Sequence, residues 1–300
     1  MREILSAVTP VFFVAAAAFV VRKRLHLDVK TLSSLNIYML IPALVFDGIS
    51  RKPIEWALFG RIAAASVLVL VAMTLLLTVL ARLLRIGGHE RGAFLMTMFP
   101  NLGNFGLPVC LFAFGQEGLA FAIVVMVIGS FLQNSLGIYF AQRAHHGVGE
   151  ALRRVFRFPM MYAFILALVF QKTGWRFPEA VERAISLTAG AAIPVQLIIL
   201  GAQLAATRLE TSVPVFVSSG VRLIGGPAAA AIFAILTGME GVAAKAFIVQ
   251  MGGPVAIGMA AYGVQFDVAP RFLASVVSWT FLLSLFTVST VLYILDFLPL

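Results

Sequence analysis

One cysteine, Cys110, stands in a chain of 300 residues. A single thiol forms neither an intrachain disulfide nor a thiolate metal cluster. Histidine is nearly as scarce. His26, His89, His145 and His146 all fall in, or at the edge of, segments that read as loops. The histidines therefore point away from a metal site inside the apolar segments, and no metal is expected. Charge is missing as well: only 12% of the residues are Asp, Glu, Lys or Arg, where a soluble domain carries about a quarter. So few charges cannot coat a water-exposed surface. The apolar segments hold no paired acids and no serine–histidine set, so the chemistry of an intramembrane enzyme lacks its parts.

What is abundant is apolar. These residues make up 61% of the chain, and the mean hydropathy is +1.01. The net charge of +9 would suggest nucleic acid for a soluble protein. In a membrane protein, Lys and Arg mark cytoplasmic loops instead, so the expected partner is the lipid bilayer and no nucleic acid. The run Ile4 to Val21 resembles a signal peptide only at first sight. Its basic cluster, Arg22-Lys23-Arg24, follows the apolar run instead of preceding it. It reads as a first transmembrane helix.

Crossings of about 20 residues fit ten segments: 4–21, 31–50, 57–80, 91–114, 119–140, 158–172, 180–205, 213–237, 241–262 and 269–295. With both termini outside, one set of loops carries thirteen basic residues and the other six. The richer set belongs in the cytoplasm, which places the chain in the plasma (inner) membrane. The basic linker 141–157 separates a first half, 1–140, from a second, 158–300. Five spans per half put the halves in opposite orientation, so any homology between them is an inverted repeat. Ile41-Pro42 and Ile193-Pro194 are one pair of matching landmarks, and Pro108 and Pro254 are the other. The fold class expected is all-α and polytopic.

Two spans are broken, at PNLGNFGLP (Pro100 to Pro108) in the fourth and QMGGP (Gln250 to Pro254) in the ninth. Proline removes a helical hydrogen bond and clashes with the preceding turn. Backbone freed in this way survives within a bilayer only where protein or a water-filled cavity surrounds it. Broken helices at corresponding places in two halves point to a transporter's substrate site. Half-helix N-termini offer amide donors and partial positive charge, which suit a carboxylate. Asn101, Gly103, Asn104 and Pro108 of the first break, and Gln250, Gly253 and Pro254 of the second, are the substrate-binding candidates. A kink used only for packing is the alternative. Arg222, within the eighth span, is a further candidate for an anion, with pairing to Asp47 or snorkelling to the interface as its other readings. Gln133 and Asn134, in the run Gln133-Asn134-Ser135, either line the substrate route or join helices by hydrogen bonds.

These motifs resemble the auxin efflux carrier family, which joins plant auxin exporters to bacterial carriers of malate, malonate and similar acids. IPALVFDGIS (Ile41 to Ser50) is similar to the family's second-helix motif, PNLGNFGLP to its fourth-helix crossover, and GVRLIGGPA (Gly220 to Ala228) to its eighth-helix motif. Gln250 and Pro254 fall on the ninth-helix crossover. The resemblance implies that Asn101 binds the substrate carboxylate. It also implies an elevator-type carrier, usually a homodimer, with spans one, two, six and seven as scaffold and spans three to five and eight to ten as transport domain. Plant members carry an Asp and a Lys in the third helix. The matching stretch here, IAAASVLV (Ile62 to Val69), has neither, which fits a small bacterial-type carrier better than an auxin exporter. The alternative is a sodium-coupled organic anion symporter of the bile-acid type, although Gln250 to Gly263 holds no Asp or Glu. No cofactor is expected, and a coupling proton or sodium ion stays open.

Overall fold

The computed structural model describes residues 2–25, 27–51, 55–142, 158–205 and 209–298. Most of the basic linker lies outside them, as do Lys52 and Arg208. Among the described residues the secondary structure is helical, apart from one isolated β-bridge. The helices are α1 (Arg2–Arg24), α2 (Val29–Leu35), α3 (Ile41–Ser50), α4 (Trp56–Leu83), α5 (Gly88–Met96), α6 (Leu107–Gln142), α7 (Pro159–Thr173), α8 (Glu179–Leu204), α9 (Val213–Gly220), α10 (Gly226–Leu236), α11 (Gly241–Met251), α12 (Ile257–Gln265) and α13 (Pro270–Leu295). They start and stop within a few residues of most of the expected segments.

Seven runs among the described residues are long and apolar enough to cross a bilayer: Ser6–Arg24, Val29–Ser50, Trp56–Leu83, Leu102–Ala141, Glu179–Leu204, Val213–Leu236 and Pro270–Leu295. Two shorter apolar helices, α7 and α11, accompany them. The run Leu102–Ala141 merges parts of the expected fourth and fifth spans. It bends at Gly115, whose φ of 65° and ψ of −157° are not helical. A left-handed φ costs glycine little, so the chain turns there without a loop.

Three runs share one device. Wide turns at Asn36–Leu40, Leu102–Gly106 and Val221–Gly225 each precede a helix whose second residue is proline: Pro42, Pro108 and Pro227. In each, the amide just before the proline bonds five residues back, as from Leu107 to the Leu102 carbonyl. Proline clashes with the carbonyl four residues earlier, and adding one residue to the turn relieves the clash. Pro194 differs from Pro42 here. It lies inside α8 with no wide turn before it, so the two landmarks match in position but not in local form.

The helices pack as membrane helices do, through small residues. α1 lies against α8, and a Cβ added to Gly201 would sit 2.0 Å from the Ala15 carbonyl oxygen. Only glycine allows the two backbones that close. α11 packs on α6, α10 on α4, and α13 on α9 and α12. This arrangement brings both expected breaks together inside the bundle.

Candidate functional site

The two breaks meet backbone to backbone. After α5 the chain runs extended through Phe99, Pro100 and Asn101. After α11 it does so through Pro254, Val255 and Ala256. Pro100 and Val255 form the antiparallel bridge. The Asn101 amide donates to the Pro254 carbonyl at 2.7 Å, and the Ala256 amide donates to the Phe99 carbonyl at 2.9 Å. Residues on both sides of the crossing are buried. Broken helices in apolar surroundings must find partners for their freed amides and carbonyls, and here each break supplies the other's. The Val255 amide donates to Thr280 Oγ1 of α13 at 3.0 Å, so a third helix completes the pairing.

Each break sends a second half-helix away from the crossing. One begins at Leu102 and continues as α6; the other is α12, with Ala256 as its N-cap. Both N-termini open on one cavity of about 190 Å³. Asn101, Leu102, Gly103 and Asn104 line it from the first break, and Ala256, Ile257 and Gly258 from the second. Met126, Ser130, Gln133 and Asn134 of α6 also line it, as do Ile37, Ile41, Pro100, Phe158 and Met160. First-turn amides have no intrahelical acceptor, and two such termini give the cavity a positive, donor-rich end.

Asn101 ties this end together. Its Oδ1 accepts from the Asn104 amide at 3.2 Å and caps the second half-helix. Its Nδ2 is buried and has no protein partner. An unmade buried donor on a residue that lines a cavity is a candidate binding group for an acceptor. Gln133 reaches the second terminus, where a Cβ on Gly258 would lie 3.4 Å from its Nε2. Asn134 both lines the cavity and joins helices: its Nδ2 donates to Ser130 O at 2.8 Å, and its Oδ1 accepts from the Tyr262 hydroxyl at 2.5 Å.

The other candidates lie outside the lining. Gly253 and Pro254 form the crossing itself, and Pro108 starts α6 just beyond it. Gln250 is fully buried, and its Nε2 donates to the Ala122 carbonyl of α6 at 3.0 Å. A Cβ on Gly106 would fall 1.9 Å from Gln250 Oε1, so Gly106 leaves room for a staple between α11 and α6. Arg222 is 1% exposed and donates through Nη1 to the Met98 carbonyl. It makes no ion pair among the described residues, and Asp47 pairs with Arg51 at 2.8 Å instead. Burial rules out snorkelling for Arg222. Arg61, in the second turn of α4, donates to the Gly238 carbonyl. Thr280, Met126 and Ser130 gave no signal in the sequence, where each is one more hydroxyl or apolar residue in a span.

Against known families, the one described as membrane transport protein matches residues 3–149 and 141–293. The chain belongs to that family. It is the auxin efflux carrier family to which the motifs pointed. An uncharacterized transporter of Methanocaldococcus jannaschii is 27% identical over 273 residues, 87% of each chain. An uncharacterized transporter of Methanothermobacter thermautotrophicus is 26% identical over 264 residues, 86% of each. As a membrane transport protein, the chain is an integral membrane transporter and not an enzyme. In a transporter, a crossing of two broken helices beside a polar cavity is the place to look for the cargo.

Proposed function

We propose that this transporter is a secondary carrier of small organic anions, carboxylates of the malate and malonate type or auxin-like acids. The observation that carries the reading is the cavity into which both half-helix N-termini open, with Asn101 in its lining and the Asn101 Nδ2 buried without a protein partner. A carboxylate there accepts hydrogen bonds from Nδ2 and first-turn amides, and the partial positive charge of two termini offsets its own. The volume lies below the ~300–1,000 Å³ of sites for drug-sized ligands, which favours a small solute. Gln133 and Asn134 offer further donors to a second carboxylate or a hydroxyl.

In this reading the chain crosses the plasma membrane ten times as an inverted repeat of five and five, with both termini outside. Spans three to five and eight to ten move together, carrying the crossing and its anion past a scaffold of spans one, two, six and seven. The scaffold also pairs two copies into a dimer. Ile37 and Ile41 of the second span and Phe158 and Met160 of the sixth then form the scaffold wall of the cavity, and the other lining residues ride on the moving part. Anion transport follows from sliding one wall past the other.

A thermal-shift screen of mono- and dicarboxylates on the purified protein tests the proposal. A ligand at a hundred times its Kd stabilises the native state by about 2.7 kcal/mol, so a cargo acid raises the melting temperature in a saturable way. A panel in which no carboxylate does so contradicts the reading.

A further inference from the structure

Among the described residues Arg222 is a buried cation that does not line the anion cavity. It rides on the wide turn Val221–Gly225 and points away from the cavity lining, toward the ends of the first half-helices. Its Nη1 donates to the Met98 carbonyl, just past the end of α5. A Cβ built on Gly226 would lie 2.0 Å from Arg222 Nη2 and 2.7 Å from the Met251 carbonyl oxygen, at the end of α11. The guanidinium and the Met251 carbonyl are therefore close neighbours, and glycine at 226 leaves them the space. Neither carbonyl receives a backbone amide among the described residues. Arg222 Nε and Nη2 have no hydrogen-bond partner in the protein.

In carriers with broken helices, N-terminal ends face the anion, and C-terminal ends with unwound carbonyls coordinate the coupling cation. Here a side chain of the protein already stands at those carbonyls. We propose that the Arg222 guanidinium is a tethered cation that takes the place of a coupling sodium ion, so that this carrier assembles its anion site without sodium. The inference rests on the carrier reading above. It adds to that reading that the cation is supplied by the chain.

The charge arithmetic supports this. Two C-terminal ends carry roughly half a negative charge each, and one fixed guanidinium balances the pair. A sodium ion arriving at the same carbonyls would meet a like charge in a buried setting, where repulsion is weakly screened. One planar donor bonds the Met98 carbonyl, and the charge stands close to the Met251 carbonyl of a different helix, so Arg222 stabilises this side of the crossing electrostatically while the opposite ends of the break receive the anion. Its role is positioning, with no contact to the cargo.

Purified Arg222→Ala tests the proposal, with guanidinium and sodium as probes at constant ionic strength and at concentrations far below denaturing ones. The expected result is a lowered melting temperature that guanidinium restores in a saturable way, while wild type ignores both ions. The anion-induced shift is lost in Arg222→Ala and returns with the cation, and wild-type transport is equal in sodium and in choline media. Should Arg222→Ala yield no folded protein, Arg222→Lys and Arg222→Met, which differ in charge more than in length, make the comparison, and equal stability and anion binding of the two overturn the proposal. A folded Arg222→Ala that responds to neither cation, or a wild type that needs sodium, also overturns it. The cation-dependent melting shift needs no cargo, so a failed carboxylate screen contradicts the carrier reading separately.

Discussion

Asn101→Asp separates the two tasks that one side chain performs at the crossing. Asp keeps an oxygen where Asn101 Oδ1 accepts from the Asn104 amide, so the cap on the second half-helix survives. It loses Nδ2, the buried donor with no protein partner, and adds negative charge beside the anion. A hydrogen bond to a charged group contributes about 1.5–3 kcal/mol, and 1.4 kcal/mol is tenfold in Kd. Asn101→Asp should therefore weaken carboxylate binding at least ~10-fold from the lost donor alone, with like-charge repulsion adding to that. Asp ranks with Asn as a cap, so any fall in stability reads the cost of burying a carboxylate at this 6%-exposed position. Asn101→Ala loses donor and cap together and should also cost about 0.5–2 kcal/mol of stability. Calorimetric titration with the acid found by thermal shift reads the affinity, and melting temperature reads the cap. An Asn101→Asp variant that binds the acid with wild-type affinity refutes the assignment of Nδ2 to the cargo.

Two further substitutions probe the frame. Thr280→Val removes the acceptor for the Val255 amide and leaves a buried donor unmade, which costs about 1–3 kcal/mol; an unchanged melting temperature would show that the third helix does not hold the crossing. Gly201→Ala places a methyl 2.0 Å from the Ala15 carbonyl oxygen, where α1 and α8 cannot both keep their positions, and overpacking of this kind costs about 1–3 kcal/mol; a variant as stable as wild type would mean that the contact is slack.

Much of the frame was legible in the residues because glycine and proline act locally. PNLGNFGLP and QMGGP each break a helix for reasons internal to the segment, and freed backbone must find partners, which in the structure each break supplies to the other. Asn101 was legible as an amide within the first break and through the family resemblance, but its capping of the second half-helix was not. Other features depend on neighbours that the sequence does not name. Pro42 and Pro194 sit in the same dipeptide, yet only Pro42 follows a wide turn. Gln250 resembles a ligand in the sequence but reaches the Ala122 carbonyl, 128 positions away in the chain. Arg222 looked like an anion partner because a buried cation ordinarily seeks a carboxylate; its actual partner is a backbone carbonyl at a helix end, and no residue type marks one. The same limit hid Thr280, whose hydroxyl matters only because a strand-like break passes beside it.

The central claim is anion transport through the crossing, and counterflow in proteoliposomes tests it most directly. Vesicles loaded with an unlabelled carboxylate and holding the wild-type protein should take up the labelled acid in a saturable, exchange-accelerated way, and Asn101→Asp vesicles should not. Absence of both uptake and exchange for every mono- and dicarboxylate tried, in vesicles shown to contain folded protein, would contradict the account.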